Sequence, residues 1–192
     1  MHFRSSTGFD VAAVRRKALA GVAMCSLVMA GSAEAATQGS LGSTSTGTVS
    51  ITASVANRAQ ITGLTDVTFA AVDPGSAASS AQSDCVWSNT ATKGYSITAT
   101  GSGTSGAFTL ANGALNVPYS VQWSSSAAQT SGTALTSGTA LVGQTSTALT
   151  PTCTTSPTTT SSLIVSITST NLQTMVAGTS YTGTLTLLVT PQ

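Results

Sequence analysis

Residues Ser180–Gln192 read SYTGTLTLLVTPQ. Leu185, Leu187 and Val189 recur at every second position, the period of a strand that buries one face. A strand this apolar carries a row of backbone donors and acceptors along each edge, and each row needs a partner. That partner is the strand's own sheet or another molecule. The rest of the chain bears on which.

The opposite end of the sequence is set aside first. Arg15, Arg16 and Lys17 precede the apolar run Ala18–Ala30, and the small residues of GSAEA follow. A basic region, a short hydrophobic stretch and an A-x-A site make up a cleaved secretory signal, expected over residues 1–35. The apolar run is too short for a permanent membrane span, and no second run in the mature chain is long enough. His2 and Glu34, the sole histidine and the sole glutamate, leave with the signal. Arg58 and Lys93 against Asp66, Asp73 and Asp84 give the mature chain a net charge of −1. Without a basic patch it cannot neutralise a row of phosphates, so no nucleic-acid partner is expected. Cys85 and Cys153 remain as an even pair in an exported chain and read as a disulfide. The long loop they close corresponds to roughly 4 kcal/mol by chain entropy.

Residues 36–46 are Gly, Ser and Thr with little to bury, and read as a flexible leader. A single domain is expected over 47–192. Its first strand is TVSITASVA, with Val49, Ile51, Ala53 and Val55 on one face. Short apolar pieces in ITGLTDVTF follow, ending in the turn Asp73-Pro74-Gly75. Alternation returns in GYSITATG (Tyr95, Ile97, Ala99), in NVPYSVQWS (Val117, Tyr119, Val121, Trp123) and in SLIVSITST. Asn112-Gly113 marks a tight hairpin, and Pro118 favours the start of a strand or an edge. SGTAL occurs at 131–135 and again at 137–141, which reads as a hairpin of two short strands. TPTCTTSPTTTSS is a Thr-rich loop, and NLQTMVAGTS a helical turn or loop. No apolar period of 3.6 persists over three turns. Short strands punctuated by Gly, Pro, Asn and Ser indicate an all-β sandwich.

Catalytic chemistry is missing. A serine nucleophile needs a base to take its proton, and the mature chain has no histidine. Lys93 precedes Gly94 in turn context and reads as a solvated turn residue. Asp66, Asp73 and Asp84 could pair as acid and base or bind calcium, but they lack the dense alternate oxygen ligands of a calcium loop. Asp73 is explained by its DPG turn. No catalytic residue, metal or cofactor is expected. Trp123 is in phase with Val121 and Tyr119, and Trp87 lies two residues from Cys85, so packing is expected for both rather than an exposed sugar-binding face.

With the alternating VSITASV behind a flexible leader, ITGLTDVTF after it, and AGTSYTGTLTLLVTPQ at the far end, the chain resembles bacterial chaperone–usher pilins. The resemblance points to the colonisation-factor-type and spore-coat-U-like branches. It implies an immunoglobulin-like β-sandwich that is incomplete and is completed by a strand donated from the next subunit. Val49, Ile51, Ala53 and Val55 would be the donated face. Leu185, Leu187 and Val189 would line the acceptor groove. The implied partners are copies of itself or related pilin subunits, a periplasmic chaperone and an outer-membrane usher. The implied route crosses the bacterial inner membrane and the periplasm to a fimbrium at the cell surface. The alternative is a self-contained secreted β-sandwich acting as a surface-binding or adhesin-like module, with TVSITASVA as its own first strand.

Overall fold

Antiparallel pairing accounts for every ladder in the computed structural model, which describes residues 35–192. The export signal expected over 1–35 lies, but for Ala35, outside the described residues. The chain divides into two compact units at Ala53/Ser54. In the first, Thr37 and Thr48 pair through backbone bonds of 3.1 and 3.0 Å. The strand expected across TVSITASVA does not form. Residues 49–58 carry no ladder, and Val49, Ile51 and Val55 are 75, 91 and 82% exposed. Ala53 is exposed too. Alternation specifies a face to bury, but a strand also needs a neighbour, and here the face stands without one.

The second unit, Ser54–Gln192, holds the sheets. Its strands are β1 (Ala59–Thr62), β2 (Ala78–Ser88), β3 (Gly94–Gly101), β4 (Thr109–Asn112), β5 (Leu115–Pro118), β6 (Ser120–Ser124), β7 (Thr133–Ala134), β8 (Ala140–Thr145), β9 (Ser161–Ile167) and β10 (Leu185–Pro191), with one short helix, α1 (Ser169–Leu172). One sheet runs β1-β2-β9-β6-β7, a second runs β10-β3-β8, and β4-β5 form a separate hairpin. The chain is an all-β sandwich. Val86 of β2, Val121 and Trp123 of β6, and Leu163, Val165 and Ile167 of β9 meet Tyr95, Ile97 and Ala99 of β3 in one core. Trp123 and Tyr95, both fully buried, satisfy each other through an indole-to-phenol bond of 3.1 Å.

Turn chemistry explains the punctuation. Gly113 takes the left-handed backbone (φ 57°) that the β4–β5 turn requires. Pro118 breaks NVPYSVQWS into β5 and β6 rather than opening one long strand, yet Val117, Tyr119, Val121 and Trp123 all stay buried. The SGTAL echo is not a hairpin. Its first copy supplies β7, paired with β6, and its second leads into β8, paired with β3. The repeat therefore carries the chain from one sheet to the other, and similar composition takes two different neighbours.

Cys85 and Cys153 form the expected disulfide, with sulfurs 1.92 Å apart. It holds the loop after β8 against the outer face of β2, where Cys85, Ala148 and Cys153 make a small second core. The loop is tied further by Ser146 N–H to Lys93 O (3.1 Å) and by Thr160 N–H to Asp84 O (2.8 Å). Lys93 is not simply solvated: its Nζ donates to Ala148 O at 3.2 Å.

Asp84 departs furthest from a surface-acid reading. Its side chain is fully buried, and neither carboxylate oxygen has a hydrogen-bond partner. Desolvation by burial raises its pKa from 3.8 to about 7, and a backbone interaction with Leu163, outside hydrogen-bond geometry, offsets only part of that. The folded state therefore holds this proton more tightly than the unfolded chain does. Its contribution to stability is complete below pH 3.8 and is lost as pH rises through about 7. The gap corresponds to on the order of 4 kcal/mol. Thermal unfolding measured from pH 4 to pH 8 should show falling stability across that window, and Asp84→Asn should flatten the profile and raise the melting temperature at pH 8.

Candidate functional site

β10 pairs with β3 over its whole length, from Leu185 opposite Gly101 to Pro191 opposite Tyr95. Gln192 N–H donates to Gly94 O at 3.0 Å, which fixes the alternation of the ladder. Thr186, Leu188 and Thr190 therefore bond to Thr100, Thr98 and Ser96. Leu185, Leu187 and Val189 direct their N–H and C=O groups toward the other edge. On that edge β10 has no neighbouring strand among the described residues.

The same three residues point their side chains inward, and there the core is unfinished. Tyr95, Ile97 and Ala99 of the adjacent strand are 0% exposed. Leu185, Leu187 and Val189 pack on that core but are only partly buried. Ile61 of β1 and Val67, Phe69 and Val72 are likewise only partly buried against the core. Cα atoms of β1 and β10 approach within 8 Å, yet no ladder joins them. β10 thus combines a half-buried apolar face with one bare backbone rail. No charged residue lies in β1 or β10.

Thr65 is held by a side chain rather than by a ladder. Gln82 Oε1 accepts from Thr65 N–H (2.8 Å) and Thr65 Oγ1 (2.7 Å), while Gln82 Nε2 donates to Thr65 O at 3.1 Å. This amide does for residue 65 what a neighbouring strand would do. Asn89 pins the start of β1 in the same way, donating to Ala56 O (2.9 Å) and accepting from Arg58 N–H (2.6 Å). At the other end, Thr182 pairs with Ala111 through bonds of 2.8 and 3.0 Å, which anchors the lead-in to β10 on β4.

Sequence reading finds Leu185, Leu187 and Val189, and the structure brings them together on the core-facing side of β10. Val67 and Phe69 belong to the short apolar pieces of ITGLTDVTF. Gln82 and Asn89 gave no signal, because a lone amide in a polar stretch has no pattern. Among the described residues, no three His, Cys, Asp or Glu side chains cluster as metal ligands do. No protein-family model and no curated protein matches the chain.

Hydrogen exchange on the isolated domain reads the bare rail directly. The amides of Leu185, Leu187 and Val189 should exchange orders of magnitude faster than those of Thr186, Leu188 and Thr190. Equal protection across all six would mean that the edge is paired.

Proposed function

We propose that the chain is an exported structural subunit of a surface fimbria, of the chaperone–usher kind, that polymerises by strand exchange and so supports adhesion. One observation carries this reading: β10 leaves a bare backbone edge above a half-buried apolar floor, while Val49, Ile51, Ala53 and Val55 form an exposed alternating face with no ladder of its own. In the proposed fibre that face, from one copy, lies along β10 of the next and completes an immunoglobulin-like sandwich. The gain is of a useful size. Each side chain passing from half to full burial contributes about 1 kcal/mol, and each added backbone hydrogen bond about 0.5–1.5 kcal/mol. Before assembly the edge needs cover, the role assigned to a periplasmic chaperone, with an outer-membrane usher passing subunits to the surface.

The mature chain should elute as polymers on size exclusion and show fibres in the electron microscope, whereas removal of residues 36–56 should leave a monomer. A synthetic peptide covering residues 47–57 should then bind that monomer and raise its melting temperature, by about 2–4 °C for each kcal/mol gained. Ile51→Asp in the peptide should abolish the shift. A truncated domain that ignores the peptide, together with a full mature chain that stays monomeric, would sink the proposal in favour of a self-contained surface-binding sandwich.

A further inference from the structure

We infer that the outer face of the β1–β2 pair carries a binding site for a sugar bearing a carboxylate, such as a sialic or uronic acid. The site is an open surface cleft of about 630 Å³ lined by Arg58, Ala59, Gln60, Trp87 and Pro151. It lies on the opposite face from the core. Val86 is fully buried toward the core, so its neighbour Trp87 points outward. Gln60 sits directly across the ladder from Trp87, which places the amide beside the indole. Arg58 precedes Gln60 by two residues and is exposed.

The walls are held in place. Cys85, two residues before Trp87, is bonded to Cys153, and Cys153 N–H closes a turn onto Thr150 O at 3.1 Å. This turn contains Pro151, so the disulfide fixes a proline ring at the edge of the cleft that holds the indole. Trp87 packs against that small second core yet remains partly exposed. The part of the indole left open lines the same cleft as Arg58.

The chemistry is selective. An indole face and a proline ring offer an apolar platform to the C–H face of a pyranose, the side-chain amide of Gln60 can bond ring hydroxyls, and a guanidinium pairs a carboxylate through two parallel bonds. None of Asp66, Asp73 and Asp84, the only aspartates of the described chain, lines the cleft to neutralise Arg58. One cation is too few for a polyanion such as nucleic acid, but it suffices for a single carboxylate. The inference stands whether or not copies polymerise. In a fibre the cleft would repeat along the shaft, and weak single sites would add by multivalency.

The test uses the mature, disulfide-bonded chain with 3′-sialyllactose and oligogalacturonate as probes and lactose as the neutral control. Calorimetry and tryptophan emission should register binding of at least one acidic sugar, with lactose about tenfold weaker or absent. Arg58→Gln, at an exposed side chain, should cost the acidic sugar about tenfold in affinity while leaving the melting temperature unchanged. Trp87→Phe should weaken binding and remove the emission change. Binding of only one acidic probe supports the site and identifies the source. The inference is overturned if neither acidic sugar binds up to about 10 mM, if lactose binds equally well, or if Arg58→Gln leaves acidic-sugar affinity intact. Polymer formation is scored separately, so loss of sugar binding and loss of assembly are distinguishable.

Discussion

β10 is hydrogen-bonded along one side only, and much of the molecule follows from that asymmetry. On the bonded side lies β3, whose Tyr95, Ile97 and Ala99 are sealed into the core. On the other side Leu185, Leu187 and Val189 retain part of their exposure, because the atoms that would cover them belong to no neighbouring strand among the described residues. Other edges of the sandwich are blunted in ordinary ways. β7 is two residues long, and the ladder between β3 and β8 is interrupted by an irregularity at Tyr95/Ile97, with Gly143 in the left-handed region. β10 has no charge, no bulge and a proline only at its final position. Edges of that kind invite another strand.

Most of the sandwich was legible because alternation survives in the strands that carry the core. GYSITATG, NVPYSVQWS, SLIVSITST and TGTLTLLVTPQ each bury the face their sequence assigns. The readings that failed share a cause. Period two identifies a face and is silent about the neighbour. TVSITASVA has a face and no ladder, and the two SGTAL copies, alike in composition, pair with strands in different sheets. Trp87 does pack beside the disulfide as its distance from Cys85 along the chain suggests, but that cluster lies on the outer face of β2 and not in the main core. Asp84 offered no warning either. Its burial follows from the β2–β9 ladder, where it faces Ser161, and a pairing between residues so far apart in sequence leaves no local mark.

Scarcity of charge links these features. With Arg58, Lys93, Asp66, Asp73 and Asp84 as the only charged side chains beyond the signal, edges cannot be guarded by lysines, and walls are fastened by amides and hydroxyls. Gln82 and Asn89 take the place of ladder partners for residues 65 and 56–58. Ser and Thr fill the loops without repelling a neighbouring copy. Such a surface resists close approach only weakly, which suits a protein whose proposed role is to be packed against others. The same scarcity gives Arg58 its weight, since a lone guanidinium without a carboxylate beside it keeps its full attraction for an anionic ligand.

The geometry of the two unpaired pieces can be compared without placing one against the other. Side chains on one face of a strand recur about every 6.6–6.8 Å. That is the spacing of Leu185, Leu187 and Val189 on the core-facing side of β10 and, in an extended chain, of Val49, Ile51, Ala53 and Val55. Eleven extended residues from 47 to 57 reach roughly 36 Å, against roughly 23 Å for β10, so the free segment can cover the bare rail and still span a gap to the domain that carries it. In the proposed pairing a one-residue slip would turn Ser50, Thr52 and Ser54 onto the apolar face of β10 and leave Val49, Ile51, Ala53 and Val55 in water, so the pattern favours one register.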